Sequence, residues 1–202
     1  MKLYLTEGSP ACKKVLATVR AVDAKDIESI PVSPLTGETH TEDYLRMNGN
    51  GKVPTLVDGE LTLWESNAIM QYLADKFGGD AIFPKDPVTR ADIVRWQFWE
   101  ANHYNQAANA ILSETTFKQL LGIEGGPNEA ILQSATKDFH RFAKVLDDHL
   151  TDRAFLVGET VTLADFSVAM FTPFVTADET TVPVKDYAAL TRWYGAMREY
   201  VH

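Results

Sequence analysis

The spacing of hydrophobic and polar positions changes near residue 80. Before it, short alternating runs intersperse with helical ones; after it, the apolar positions fall almost throughout at helical spacing. Residues 2–6 (KLYLT) read as a strand. Residues 12–23 read as a helix with Val15, Val19 and Val22 on one face, and residues 27–32 as a weaker strand. A short helix is expected over 42–47. Two strands, 55–57 and 61–64, flank Asp58-Gly59-Glu60, a strong hairpin signal. Residues 66–77 form a helix with Ile69, Met70, Leu73 and Phe77 inward, stopped by Gly78-Gly79. The expected order is β-α-β-α-β-β-α.

Residues 78–87 (GGDAIFPKDP) carry the punctuation of a linker. A long Trp- and Phe-rich helix is expected from 88 to about 113. Residues 128–150 place apolar side chains at 131, 132, 135, 139, 142, 146 and 150, a clear 3.6-residue period. Further helices are expected over 162–171 and 187–200, with connections over 115–127 and 172–185. The boundaries are therefore 1–79, a linker at 80–87, and 88–202.

Composition narrows the function classes. With 19 Lys+Arg against 28 Asp+Glu the net charge is −9, and both halves are acidic. That argues against a nucleic-acid partner, which needs clustered cations. No apolar run reaches the length of a membrane span. The first ten residues turn polar too soon for a signal peptide, so the expected setting is cytoplasmic. The single cysteine, Cys12, excludes an intrachain disulfide framework and any Cys-based zinc site, and no metal is expected.

Three features sit at element ends in the first half. In Ser9-Pro10-Ala11-Cys12-Lys13-Lys14, Ser then Pro is the expected N-cap and N1 pair, so a hydroxyl and a thiol share the first turn of a helix. That end favours an anion such as a thiolate. The plainer reading is that Ser9 caps and Cys12 packs. In Gly51-Lys52-Val53-Pro54-Thr55, the proline fits only where a strand begins. A cis Val53-Pro54 bond there would present the Val53 backbone to an extended peptide; the plainer reading is an ordinary loop proline. In Trp64-Glu65-Ser66-Asn67, Ser66 lies at or near an N-cap with a carboxylate beside it. An anion site thus adjoins a cation site, which suits an α-amino-acid head group. Loops at one end of a small α/β sheet are where such folds bind ligands.

Taken with residues 48–77 (NGNGKVPTLVDGELTLWESNAIMQYLADKF) and 157–171 (VGETVTLADFSVAMF), the chain resembles a soluble glutathione S-transferase over nearly its whole length. The likeness is to a bacterial, Ser-type or beta-like class. It implies a thioredoxin-like N-terminal domain followed by an all-helical C-terminal domain that lines the electrophile site and the dimer interface. Gly49 stands where the family form has Pro. Thr162-Leu163-Ala164-Asp165 matches the family's capping box and hydrophobic staple, with Asp165 in the role usually held by Glu or Gln.

The resemblance further implies that Val53, before Pro54, pairs with the cysteinyl unit of glutathione, and that Glu65 and Ser66 hold the γ-glutamyl ammonium and carboxylate. Lys52 would lie near the glycyl carboxylate or the peptide backbone, and His40 would reach the glycyl carboxylate too. Ser9 would hydrogen-bond the glutathione sulfur. Cys12 falls where the beta class keeps its cysteine once a one-residue gap is allowed, and its Lys13-Lys14 neighbours would favour a thiolate. The implied function is conjugation of glutathione, as co-substrate, to small hydrophobic electrophiles by a homodimer. The alternatives are a glutathione-dependent disulfide reductase or peroxidase, and a non-catalytic binding module. Tyr4, Asn102, His103 and Tyr104 are further candidates to face glutathione, Tyr4 being better suited to core packing. His140 and His149 read as surface or satisfied core residues, and Asp147-Asp148 as a solvated face.

Overall fold

The computed structural model describes residues 1–170 and 186–201, so the expected connection at 172–185 and residue 171 lie outside the described residues. The chain divides into two compact units, residues 1–86 and 87–200.

In the first unit, strands β1 (Lys2–Leu5), β2 (Glu28–Pro31), β3 (Thr55–Asp58) and β4 (Leu61–Trp64) form one sheet in the order β2-β1-β3-β4. Strand β1 pairs parallel with β2 and antiparallel with β3, and β3 pairs antiparallel with β4. The Gly59-Glu60 turn closes the β3–β4 hairpin, with Gly59 at φ 59°. Period-two alternation in β1 buries Leu3 and Leu5 on one face. Helix α1 (Pro10–Ala21) supplies Val15 to that core, and α3 (Ser66–Lys76) supplies Ile69, Met70 and Leu73. On β1, Tyr4 alternates with those leucines, and its ring meets that of Tyr44 from helix α2 (Glu42–Met47) edge-on at 6.1 Å.

Helix α1 begins two residues before the expected position because Pro10 is pre-organised for N1. At the other end of the sheet, the hairpin is tied to α3 by Tyr72, whose hydroxyl donates to the Asp58 carboxylate at 2.5 Å, and by a Lys76–Asp58 ion pair.

The second unit is helical. Its first run was expected to stop near 113 but winds on through α4 (Pro87–Trp99), a π-turn (Glu100–Tyr104), α5 (Asn105–Leu112), a second π-turn (Ser113–Phe117) and α6 (Lys118–Leu120). The Thr115-Thr116-Phe117 stretch has poor helix propensity, yet side chains hold it in place. Thr115 Oγ1 donates to the Ile111 carbonyl at 2.8 Å. The Glu114 carboxylate pairs with Lys118 and accepts from Asn128 N–H at 2.6 Å.

Asn128 in turn caps α7 (Glu129–Leu150) by accepting from Ala130 and Ile131. Helix α8 (Leu163–Ala169) follows, and α9 (Ala188–Val201) ends the described chain. Trp96, Tyr104, Phe139, Phe166 and Trp193 fill the core, each 2% exposed or less. The capping box is present. Asp165 accepts from the Thr162 N–H and hydroxyl, from Leu156 N–H and from Trp193 Nε1, with all four distances between 2.9 and 3.1 Å. Asp147 was expected on a solvated face. It instead accepts from Ala189 N–H at 2.7 Å and Leu190 N–H at 3.0 Å, serving the free amides that open α9.

Candidate functional site

Strand register brings the candidate loops together. Tyr4 lies opposite Thr55, and Thr55 opposite Trp64. The end of β1, the start of β3 and the end of β4 are therefore neighbours at one edge of the sheet, and the end of β2 lies there too, since Leu5 pairs with Pro31. The segments carrying Ser9, Lys52–Pro54, Glu65-Ser66 and His40 all leave from that edge.

At the first loop, Ser9 occupies the N-cap position of α1, extended at φ −64° and ψ 125°, but its side chain makes no cap bond. Its main chain does the structural work: Ser9 N–H donates to Thr6 O at 3.2 Å, and Lys13 N–H donates to Ser9 O at 2.9 Å. The half-buried hydroxyl instead hydrogen-bonds the Cys12 sulfur, which also accepts from Thr6 N–H at 3.4 Å. Cys12 is 1% exposed. Burial pushes its thiol above the usual range and outweighs both hydrogen bonds. The activating effect expected of Lys13-Lys14 is thus overcome, and this is a packed, neutral thiol.

The second loop contains a cis Val53-Pro54 bond, and β3 starts only at Thr55, which leaves Val53 outside the ladder. Two side chains that sequence reasoning did not single out hold this loop. The Lys52 carbonyl accepts from the Tyr44 hydroxyl at 2.7 Å and from Asn48 Nδ2 at 2.9 Å, and both groups also reach Thr55 Oγ1 at 3.0 Å. Burial raises the Tyr44 phenol above its ordinary value, so it stays a donor. The signal for Asn48 was its place at the C-cap of α2 beside a turn; for Tyr44 it was a hydroxyl on the inward face of a short helix. His40 bonds Thr39 through Nδ1 at 3.1 Å, and its ring covers Gly51 so closely that a Cβ there would lie 2.9 Å from Nε2. Gly51 also has φ 60°, which favours glycine. This contact sets His40 against Gly51, the residue directly before the exposed Lys52.

At the third junction Glu65, not Ser66, takes the N-cap position; Ser66 is the first residue of α3. Glu65 has φ 71° and ψ 109°, outside the regions a side-chain-bearing residue ordinarily adopts. Such strain costs of order 1–3 kcal/mol and clusters at ligand sites. Its carboxylate is exposed and makes no cap bond, and the first turn of α3 carries no acidic residue. The helix end thus remains a positive pole beside an exposed negative group.

In the helical unit, a cleft of about 550 Å³ is bordered by Asn102, His103, Gln106, Arg141 and Phe142 over a floor of alanines. Tyr104, in contrast, is fully buried and stacks on Trp99 with centroids 5.7 Å apart. His140 bonds the Tyr187 hydroxyl at 2.8 Å, and His149 the Leu156 carbonyl at 2.8 Å. Among the described residues no three His, Cys, Asp or Glu side chains gather as a metal site would need, and no helix is long and apolar enough to cross a membrane.

Known proteins share this arrangement. The family model of the glutathione S-transferase N-terminal domain matches residues 1–75, and that of the C-terminal domain matches residues 128–196. The chain is 33% identical to glutathione S-transferase F13 of Arabidopsis thaliana over 175 residues, 85% of this chain and 78% of the relative. It is 32% identical to glutathione S-transferase GstB of Escherichia coli K12, over 84% and 80%. The chain belongs to the glutathione S-transferase family. Its activity is that of a glutathione S-transferase, with glutathione as co-substrate. Among solved structures, glutathione S-transferase-I bound with lactoylglutathione superposes with a TM-score of 0.85 at 27% identity, over 99% of this chain and 95% of that one. Glutathione transferase F7 from Populus trichocarpa does so at 0.88 and 25%, over 97% and 92%. The expected thioredoxin-like domain followed by a helical domain is therefore the fold. The relatives include plant and bacterial enzymes, so they carry the family without choosing a class.

Proposed function

We propose that glutathione lies across the sheet edge formed by these loops, and that its thiolate, stabilised by Ser9, attacks small hydrophobic electrophiles. The observation that carries this reading is the Ser9 hydroxyl, which stands at a helix N-terminus and makes no cap bond. The Val53 main chain, ahead of Pro54, pairs with the cysteinyl unit. Glu65 takes the γ-glutamyl ammonium, and Ser66 with the α3 amides takes its carboxylate. Lys52 and His40 neutralise the glycyl carboxylate.

A glutathione thiol has a free pKa near that of cysteine, about 8.5, so only a few per cent is thiolate at pH 7. A drop of two units corresponds to about 2.7 kcal/mol. One charge-assisted hydrogen bond and a helix end supply energy of that order. We infer that, once the Ser9 hydroxyl proton turns from the Cys12 sulfur toward the glutathione sulfur, the neutral Cys12 thiol donates its S–H back to Ser9 Oγ.

The class this favours is Ser-type, acting in the cytoplasm as a homodimer. Residues 1–79 hold glutathione, 80–87 link, and the helical residues 88–202 govern the choice of electrophile. A disulfide reductase acting through Cys12 needs an exposed thiolate, and the burial of that thiol argues against it.

Conjugation to a chloronitrobenzene and reduction of a hydroxyethyl disulfide, measured for wild type, Ser9→Ala and Cys12→Ala, test this. Ser9→Ala is expected to lose about 100-fold in conjugation, as removal of one preorganised donor does, and to return the pKa of bound glutathione toward its free value. Cys12→Ala is expected to keep most conjugation with a small alkaline shift of the profile. Retained conjugation in Ser9→Ala with loss in Cys12→Ala reverses the assignment.

A further inference from the structure

The stretch Asn48-Gly49-Asn50-Gly51 contains two Asn-Gly steps, and the structure treats them differently. Asparagine followed by glycine is the dipeptide most open to deamidation, because no side chain shields the following main-chain nitrogen. Asn48 is 2% exposed, and both polar atoms of its carboxamide are engaged: Nδ2 with Lys52 O and Thr55 Oγ1, Oδ1 with Asn50. Its ψ of 95° turns the Gly49 nitrogen away from its side chain. Gly49 is also replaceable, since a Cβ there would have Leu45 O at 3.9 Å as its nearest neighbour.

Asn50 is exposed, and the glycine after it is obligatory. Gly51 sits at φ 60° under the His40 ring, where no side chain fits. The close fit of His40 on Gly51 therefore also fixes an exposed Asn-Gly step directly before Lys52.

We propose that Asn50 is a deamidation site whose conversion weakens glutathione binding. The deprotonated Gly51 nitrogen attacks Asn50 Cγ; the new N–Cγ bond closes a succinimide while the Cγ–Nδ2 bond breaks and ammonia leaves. Water then opens the ring at either carbonyl to give aspartate or isoaspartate, with no change of oxidation state. Both products add a negative charge two residues before Lys52, in the loop that His40 covers at Gly51. Isoaspartate also inserts a backbone carbon into the loop whose Lys52 carbonyl is held by Tyr44 and Asn48. The reaction requires the turn to open, because Gly51 N–H donates to Asn48 O at 3.0 Å, and Asn50 N and Nδ2 both donate to Asn48 Oδ1. Conversion is accordingly slower than in an unstructured peptide and quickens with pH.

The effect on binding rests on the glutathione site proposed above, whereas the modification itself does not. The full chain and a peptide of residues 45–55 are incubated in alkaline buffer at physiological temperature. Digestion then follows the one-dalton mass gain, and an isoaspartyl methyltransferase labels isoaspartate. Gly49→Ala isolates Asn50, and Asn50→Gln blocks the step. The expected result is mass gain and label at Asn50 in the folded chain, retained in Gly49→Ala and absent in Asn50→Gln. In Asn50→Asp the KM for glutathione should rise about fivefold, the factor that about 1 kcal/mol of repulsion between solvated like charges brings. An Asn50 peptide that stays unconverted in the folded chain while the free peptide converts overturns the proposal. So does an Asn50→Asp variant with unchanged KM when Lys52→Ala raises it. If Lys52→Ala also leaves KM unchanged, the glutathione site itself is misplaced and the binding effect falls with it.

Discussion

The two units use polar groups in opposite ways. In the helical unit the conspicuous ones are consumed by the fold: Asp165 accepts four donors, Asp147 serves the start of α9, Glu114 ties a π-turn to α7, and His140 and His149 are each hydrogen-bonded. At the sheet edge of the first unit, polar groups stand outside regular structure or in strained backbone. Ser9 declines to cap, Val53 precedes the ladder, and Glu65 holds a positive φ. The difference teaches where chemistry is to be sought. A charged residue with every partner filled stabilises, and a group at an element end that closes neither a cap nor a ladder is available to a ligand.

The sharpest way to break this contrast is at Asp165. Removing its carboxylate in Asp165→Ala strands the Leu156 and Thr162 amides and the Trp193 indole N–H in the interior, at about 1–3 kcal/mol per buried group. A loss of about 3–5 kcal/mol is expected, an exceptional value for one substitution, read from the shift of the denaturant midpoint. The KM for glutathione of the folded fraction should stay within twofold. A variant of wild-type stability would show that this hub is not structural.

Glu65 gives a medium effect with two signs. In Glu65→Gly the left-handed backbone is no longer strained, so stability should hold or rise by about 1 kcal/mol even after the entropic cost of glycine. The carboxylate for the ammonium is lost at the same time, so the KM for glutathione should rise about tenfold, as loss of a charge-assisted hydrogen bond would give. Paired melting and kinetic measurements check this. A variant that loses stability while keeping its KM would place Glu65 with the structural carboxylates of the helical unit.

Much of this contrast was legible in the residues. Period-two and 3.6-residue spacings carried the order of elements, and Pro54, Asp58-Gly59 and Thr162–Asp165 each marked a local geometry with a physical cause. The candidate residues Ser9, Val53-Pro54 and Glu65-Ser66 were found because cap and strand-start rules single out element ends, and Lys52 because the family resemblance implied it. Less was legible where tertiary partners decide. The helix through Thr115–Phe117 depends on Asn128, fourteen residues past Glu114. The role of Asp147 depends on α9, 42 residues away. Burial of Cys12 reversed the expectation drawn from its lysine neighbours, because charge along the sequence says nothing about desolvation. Tyr44 and Asn48 escaped because their local signals, an inward hydroxyl on a short helix and a C-cap beside a turn, do not say which loop they support.

The smallest expected effect concerns Asp58, the carboxylate that ties the hairpin to α3. Hydrogen bonds from Lys76 and Tyr72 hold its carboxyl below the ordinary carboxylate range. A depressed value in the folded state means that its contribution is complete above the unfolded value of about 3.9. The contribution is lost as pH falls through the lower, folded value, where the proton displaces both donors. The pair is only partly buried, so solvent screening keeps the effect modest. Wild type and Asp58→Asn should therefore differ by a small shift in denaturant midpoint at neutral pH. The gap should close on acidification below pH 4, and added salt should shrink it at neutral pH. A gap that persisted in strong acid would mean that Asp58 contributes through packing of the hairpin rather than through its charge, and the hairpin end of the first unit would then have to be ranked with the uncharged core.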